Sequence, residues 1–572
     1  MLSAMPDDNL TRPVEIPDRK PGICSAEFVA ACAVLVAAAV LFGGRLGDRG
    51  VVSEELRWAE VAREMRQTGN FFQPTINGQT YYDKPVGSYW LIVAASYLTG
   101  EVDETAARLP AAVAGWVGVL LVMCLGARLY DARTGVFAGT VLATCFGFAF
   151  YARRATADVE TVTGVLAAVW LFARHRDRPQ GPWVLLLWLV MAVTSLTKGL
   201  LGFVLPLAVL GVYGLLVSVP RDRGRVAGFA ERYRWFFNWW SLVAVPLAVA
   251  VYFAPFLLSE RQSGSADGLD MVFRENVRRF YAPHNHTGSV YLYVGVIFVL
   301  AAPWSAFLLA ALLPGKQKSD GDRLARAYFW AVFVFFTLAS SRRSYYLLPV
   351  LPAVALLVAR VLTAPVDELL PLARRLRVVG YVLFGCVVVG AGVLLLPPAN
   401  LLPAPYDHLP DLPARWAYAT GCVASPIAFG WSVVRARHRL PAVVAAITFA
   451  GLAYALLVAL PAADEFRTRR TFAAEVRARV ADAPDHLALY HARDIAFDLN
   501  HPVRLHEYTA PDELTAALRA GTVRWVIARR RYLAGLTLPA AVQFEEKAYP
   551  WDGTDQLGDK MVLLEATGSH ER

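Results

Sequence analysis

Runs of mainly apolar residues recur along most of the chain, each close to the roughly 20 residues that a helix needs to cross a bilayer. They fall near 26–44, 106–127, 134–151, 156–174, 182–198, 200–219, 236–258, 289–313, 325–340, 344–363, 376–397, 414–434 and 440–461. The pattern predicts a polytopic α-helical membrane protein with about thirteen transmembrane helices. The apolar piece 86–99 is shorter and reads as a juxtamembrane or re-entrant helix. Ahead of it, "SEELRWAEVAREM" at 53–65 has apolar positions at helical spacing. That predicts an amphipathic helix opening on two adjacent carboxylates, Glu54 and Glu55. After residue 462 the rhythm changes. Charge density rises, and short strand-like runs ("HLALYH", "RWVIARR", "KMVLLEA") alternate with a helix-like piece, "APDELTAALRAG". This predicts a small α/β domain over 463–572.

Composition agrees with the membrane reading. Of 572 residues 56% are hydrophobic and 18% charged, against about 25% charged in soluble domains. The formal charge of +9 has meaning only by location, because Lys and Arg collect on cytoplasmic loops. With residues 1–25 placed in the cytoplasm as an N-terminal tail, alternate loops carry Arg128 and Arg133, then Arg174, Arg176 and Arg178, then Arg374, Arg375 and Arg377. The loop 398–413, on the other side, has no Lys or Arg. The membrane domain then runs over 26–462, with outer loops at 45–105 and 259–288, and the α/β domain lies outside the cytoplasm. The first apolar run is expected to be a retained span rather than a cleaved signal. No nucleic-acid partner is expected, since no basic-aromatic motif accompanies the charge. The six cysteines lie in or beside apolar runs without metal-ligand or CxxC spacing, so no disulfide framework is expected.

Some basic residues fall where that charge rule would not place them. Arg153, Arg154, Lys198, Arg342 and Arg343 sit on very short outer turns, and Lys84 lies in the first outer loop. Single cations at such depths snorkel to the interface. Cations on several separate turns point instead to a shared anionic ligand, bound by lysine as a point charge and by arginine as a planar fork. An anion at the leaflet edge suggests a lipid phosphate. Glu54, Glu55, Asp158 and Glu160 lie at predicted helix starts, where the helix dipole alone favours acids. Beside a cationic cluster, a carboxylate also suits proton abstraction from an acceptor while the cations hold a phosphate leaving group. Tyr345 and Tyr346 follow the Arg pair and are either interfacial belt residues or phosphate ligands. His284 and His286 form an H-x-H pair in the second outer loop, a possible metal site.

The segment "EELRWAEVAREMRQTGNFFQPTINGQTYYDKPVGSYWL" resembles the first-loop signature of bacterial ArnT-like enzymes, part of the protein-mannosyltransferase-like group with GT-C architecture. The resemblance continues in order through "ATADVETV", "SLTKGLLGFVLP", "ENVRRFYAPHNHTGSVYLYVGVIFVLAAPWS" and "SRRSYYLLPVLPA". It implies transfer of a sugar from a polyprenyl-phosphate donor to an extracytoplasmic acceptor, a lipid A-like glycolipid or another envelope molecule, in the cell inner membrane. Carried over by position, Glu54 takes the place of the family's first-loop acid, commonly Asp, with Glu55 as the neighbouring option. Asp158 matches the second acidic position. Arg57, Tyr81, Lys84 and Tyr345 match positions tied to the lipid phosphate, and Arg153, Lys198, Arg342 and Arg343 join them on charge. His284 and His286 match a His-containing stretch that raises the possibility of a divalent metal. A protein O-glycosyltransferase of the same architecture and a lipid-linked sugar transporter remain the alternatives.

Overall fold

The computed structural model describes residues 26–52, 54–178, 180–217, 225–278, 289–313, 319–394, 413–435, 439–464, 469–500, 505–535 and 561–566. The membrane part opens with α1 (Ala26–Gly43), α2 (Glu54–Thr68), the hairpin strands β1 (Thr75–Ile76) and β2 (Gln79–Thr80), and α3 (Gly87–Thr99). Then come α4 (Glu104–Leu129), α5 (Ala132–Thr144), α6 (Phe146–Tyr151), α7 (Asp158–His175), α8 (Trp183–Lys198) and α9 (Leu201–Leu216). They are followed by α10 (Arg225–Arg232), α11 (Trp239–Ser263) and α12 (Asp267–Phe273).

Among the described residues, five helices are each long and apolar enough to cross a membrane: Ala26–Gly43, Glu104–Leu129, Trp239–Ser263, Ser344–Thr363 and Leu440–Ala462. A sixth forms if the pair Leu292–Leu300 and Trp304–Leu312, bent by 115°, counts as one span. Other predicted runs are helical but shorter or interrupted. The run 134–151 breaks at Cys145, whose extended backbone (ψ 125°) separates α5 from α6. The run 182–219 splits into α8 and α9, each of 16 residues. The turn between them needs Gly199 at φ 78°, a left-handed conformation that costs glycine little. This turn sets Lys198 at the very end of α8. The apolar piece 86–99 is the 13-residue α3, short as its length suggested.

Asp103 caps α4 by accepting from the Ala106 N–H at 2.7 Å, and Asp131 caps α5 by accepting from Thr134 at 2.8 Å. Such caps satisfy donors that a helix start leaves unpaired. The main core gathers residues of α1, α4, α5, α7, α8 and the helix Leu351–Thr363, which is buried over most of its length.

The C-terminal region contains a four-stranded sheet in the order β4 (His506–Tyr508), β3 (Leu487–Tyr490), β5 (Trp525–Arg529), β6 (Met561–Glu565). The first three run parallel and β6 antiparallel. Leu487, Leu489, Trp525, Ile527, Met561 and Leu563 pack on one side with Phe472 and Val476. Ala488, Tyr490, Val526, Ala528, Val562 and Leu564 pack on the other with Leu514 and Leu518. This alternation is the period-two signature of strands buried on both faces. Three of the strands and the helix Pro511–Arg519 occupy the segments that the sequence marked. β4, only three residues of mixed polarity, did not stand out.

This sheet unit rests on α2. Arg63 donates to Asn500 Oδ1 at 2.7 Å and to the Ala496 carbonyl at 3.3 Å. Asn77 donates to the Leu505 carbonyl at 2.5 Å. Phe497 enters the apolar cluster under α2 and α3, and the Arg493 guanidinium lies 5.6 Å over the Tyr81 ring.

Candidate active site

The start of α2, the turn after β2, the start of α7, the end of α8 and the segment Arg343–Tyr346 converge on one polar cavity of about 200 Å³. Its wall carries five cations (Arg57, Lys84, Lys198, Arg274 and Arg343) and four carboxylates (Glu54, Asp83, Asp158 and Glu275). The cations come from distant parts of the sequence, so the fold itself concentrates them.

Glu54 stands at the centre. Its carboxylate pairs with Arg343, accepts from the Tyr345 hydroxyl at 3.3 Å through either oxygen, and lies 3.8 Å from Arg57 Nη2. Burial alone would raise its pKa. The charges of Arg343 and Arg57 and their hydrogen-bonded neighbours overcome that and hold it below the ordinary carboxylate value. Glu54 therefore stays ionised as a potential proton acceptor. Arg57 also donates to the Tyr81 hydroxyl at 2.7 Å and lies 3.6 Å from Asp83. Lys84 bridges Asp83 at 3.1 Å and Glu275 at 3.2 Å. Lys198 pairs with Asp158 and sits 5.1 Å from the ring centres of both Tyr345 and Tyr346, a cation–π arrangement.

A second, apolar cavity of about 320 Å³ shares Asp83, Lys84, Lys198, Glu275 and Tyr346 with the first. It continues between Leu200, Leu201, Val204, Phe335 and Phe336. A polar chamber thus opens through a charged neck, where Lys84 and Lys198 stand beside Asp83 and Glu275, into a greasy groove. That shape matches an amphiphile with an anionic head and a long apolar tail.

Three of the expected site residues lie elsewhere. Glu55 is not in the cavity. Its side chain is 2% exposed against 28% for Glu54, because neighbours on a helix point about 100° apart. It is held by the Arg108 fork at 2.8 and 3.0 Å, and accepts the Ala155 N–H at 3.0 Å and the Val52 N–H at 3.2 Å. Burial raises its pKa, but Arg108 wins and brings it to about 2. Arg153 is buried and donates to the Leu41 and Phe42 carbonyls at 2.6 and 3.3 Å, tying α1 to the turn after α6. Arg342 donates to the Thr337 carbonyl at 3.0 Å and is no part of the cavity wall.

Tyr81 reaches the cavity only through Arg57. His284 and His286 lie outside the described residues; among the described residues no cluster of metal-ligating side chains occurs. Sequence reasoning missed Asp83, Glu275 and Arg274 as wall residues, whereas Tyr346, read as a belt residue or a phosphate ligand, lines the wall. Asp83 had a signal, since it adjoins Lys84.

Comparison with known proteins agrees with this geometry. A family model described as dolichyl-phosphate-mannose-protein mannosyltransferase matches residues 83–252. An undecaprenyl phosphate-alpha-4-amino-4-deoxy-L-arabinose arabinosyl transferase of Pseudomonas aeruginosa (strain LESB58) is 29% identical over 346 residues, 58% of this chain and 59% of that protein. One of Pseudomonas fluorescens (strain Pf0-1) is 26% identical over 328 residues, 55% of this chain and 54% of its own length. An uncharacterised protein of Aquifex aeolicus is 27% identical over 57% of this chain and 62% of its own. The chain thus spans a little over half the length of these curated relatives. The crystal structure of ArnT from Cupriavidus metallidurans bound to undecaprenyl phosphate superimposes with a TM-score of 0.71 at 22% identity, covering 94% of this chain and 98% of that one. Residue pattern, family match and shared fold agree: the chain has the fold of ArnT and, over a little more than half its length, is similar in sequence to arabinosyl transferases.

Proposed function

We propose that this protein is an integral-membrane glycosyltransferase that moves a sugar from a polyprenyl-phosphate donor to an acceptor on the outer side of the cell membrane. The observation that carries the reading is the continuity of two cavities: an ionised Glu54 among cations, and an apolar groove reached through Lys84 and Lys198. The polyprenyl tail would occupy the groove and the phosphate the neck, beside Lys84 and Lys198. The structural relative's bound undecaprenyl phosphate and the names of the arabinosyl transferases support that choice of donor class. The basic loops support a cytoplasmic N-terminus, about thirteen spans, and a cavity and sheet unit that face away from the cytoplasm.

In the reaction the acceptor hydroxyl gives its proton to Glu54. Its oxygen attacks the anomeric carbon, the bond from that carbon to the phosphate oxygen breaks, and the electron pair leaves with polyprenyl phosphate. One displacement inverts the anomeric centre. Lys84, Arg57 and Arg343 stabilise the phosphate as its charge develops, which is where fixed cations act best. In the structure they pair with Asp83, Glu275 and Glu54. Donor binding exchanges those partners and frees Glu54 to meet the acceptor. Asp158 keeps Lys198 at the neck. A divalent metal at His284 and His286 adds no step to this scheme.

The test is sugar transfer by the purified protein from a lipid-linked donor, alongside mass spectrometry of envelope glycolipids and glycoproteins from cells with and without it. A sugar mass lost with the chain is expected. Identical transfer by the wild type and Glu54→Gln would remove the catalytic assignment.

A further inference from the structure

Asp83 and Lys84 line the catalytic cavity from a segment, 81–84, that has no regular structure of its own. It follows the β1–β2 hairpin, whose strands are two residues each. A hairpin that short holds its shape only through what packs on it. The membrane part grips it at Gly78, whose N–H donates to Glu64 at 3.1 Å, and at the Tyr82 carbonyl, which accepts from Arg274 at 2.8 Å. The sheet unit grips it twice. Asn77, in the hairpin turn, donates to the Leu505 carbonyl. Arg493, in the turn Arg493–Ile495 after β3, sets its guanidinium 5.6 Å over the Tyr81 ring.

Tyr81 leads from that contact to the chemistry. Its hydroxyl accepts from Arg57 Nη1 at 2.7 Å. The same guanidinium lies 3.6 Å from Asp83 and 3.8 Å from Glu54, both on the cavity wall. The Arg57 side chain is 36% exposed, and a side chain so long has many rotamers that only fixed partners restrict. Glu54 and Asp83 are not fixed partners, because in the proposed reaction both give up their cations to the donor phosphate. Tyr81 is one, since its neutral phenol lies off the cavity wall. Arg493 in turn holds Tyr81 by the ring face, as a cation over the aromatic quadrupole. That attraction leaves the hydroxyl to Arg57. The other docking contacts of the sheet unit sit farther along α2. Arg63, which donates to Asn500 and to the Ala496 carbonyl, is six residues past Arg57, about 9 Å along the helix.

We propose that Arg493 is a positioning residue of the active site: by clamping the Tyr81 ring it fixes the hydroxyl that aims Arg57 at the donor phosphate. The inference rests on the proposed transferase function and gives the sheet unit a part in it. The unit then supports one side of the reaction chamber instead of only resting on the membrane part, and Arg493 is where the support reaches a phosphate-binding cation.

The probe is undecaprenyl phosphate, titrated into the purified full-length protein. Arg493→Met is expected to weaken its binding about three- to fivefold, the reach of an exposed cation–π contact, with the thermal transition close to that of the wild type. Arg493→Lys keeps a cation over the ring and should recover most of the loss. Tyr81→Phe keeps the ring and removes the hydroxyl, so the path to Arg57 is already cut. In that background Arg493→Met should add less than about twofold, whereas a residue acting only on docking would cost the same factor in both backgrounds. Asn500→Ala, which loosens the docking contact at Arg63, should leave the affinity within about twofold, as expected of a site that does not share partners with Tyr81. Unchanged binding in Arg493→Met overturns the inference. So do equal losses with and without the Tyr81 hydroxyl, or a loss in Asn500→Ala as large as in Arg493→Met. A wild type that does not bind undecaprenyl phosphate removes the donor reading and this inference together. Equal transfer by Glu54→Gln and wild type removes the catalytic assignment alone and leaves the binding cycle to stand by itself.

Discussion

The two sides of α2 hold the same chemistry under opposite conditions. Glu54 and Glu55 are adjacent, both bind arginine and both have depressed pKa values. Glu55 and Arg108 are each 2% exposed and fully engaged: the guanidinium also donates to the carbonyls of Leu46, Arg49 and Gly50 at 2.8, 2.6 and 2.7 Å. Glu54 and Arg343 are 28% and 26% exposed, on the wall of a chamber with room for a ligand. A saturated pair can only hold structure. A pair with unfilled space beside it can exchange partners and take part in chemistry.

The comparison breaks most visibly if each acid is neutralised in turn. Glu54→Gln should lower sugar transfer by about 10²–10⁴-fold, the usual contribution of a positioned general base, while the thermal transition stays close to wild type. Arg108→Met should do the opposite. It leaves Glu55 as a buried charge without its partner, a change that costs about 3–5 kcal/mol. The fraction that remains folded should turn over normally. Transfer rate per folded molecule and thermal denaturation in detergent separate the two. Equal loss of activity in both variants would erase the distinction between the sides of the helix.

A smaller effect sharpens the picture on the cavity side. Arg343 is a main cause of the depressed Glu54 pKa, so Arg343→Met should raise it. The transfer rate falls as pH drops through the Glu54 pKa, because only the carboxylate accepts a proton. In the wild type that fall lies below pH 4.5; in Arg343→Met it should move to higher pH. A pH–rate profile of the two proteins reads the shift directly, and an unmoved acidic limb would detach Arg343 from Glu54.

What the sequence could and could not reveal follows from the same contrast. Lys84, Lys198 and Arg343 were legible because their charges violate the loop pattern of a membrane protein, and all three line the cavity. Arg153 and Arg342 violate it equally, but Arg153 turns to the Leu41 carbonyl, which only the folded chain brings close, and Arg342 folds back on the Thr337 carbonyl on its own side of the turn. Choosing between Glu54 and Glu55 required the phase of α2 against its neighbours, and Arg108 lies 53 residues away. Glu275 pairs with Lys84 across 191 residues, which no local pattern encodes. The apolar rhythm located the helices well. It missed where they break, since Cys145 and the 115° bend after Leu300 interrupt sequences that remain apolar throughout.

The smallest expected effect lies where α2 meets the sheet unit. Glu60 is 3% exposed, paired with Arg63 at 2.7 Å, and has Glu64 beside it on the same helix. Burial, reinforced by Glu64, outweighs Arg63 and lifts its pKa to about 7. The folded state therefore holds this proton more tightly than the unfolded chain, whose value is near 4.5. The associated stability is complete below pH 4.5 and is lost as pH rises through about 7. Glu60→Gln removes the titration and keeps an oxygen that can accept from Arg63. It should match wild type at pH 4 and be more stable at pH 8, by on the order of 1 kcal/mol. Arg63 also holds Asn500 and the Ala496 carbonyl, so the gain should appear as slower proteolytic release of the sheet unit at pH 8. A Glu60→Gln variant that is less stable at both pH values would mean that the ionised Arg63 pair, rather than burial, governs this contact.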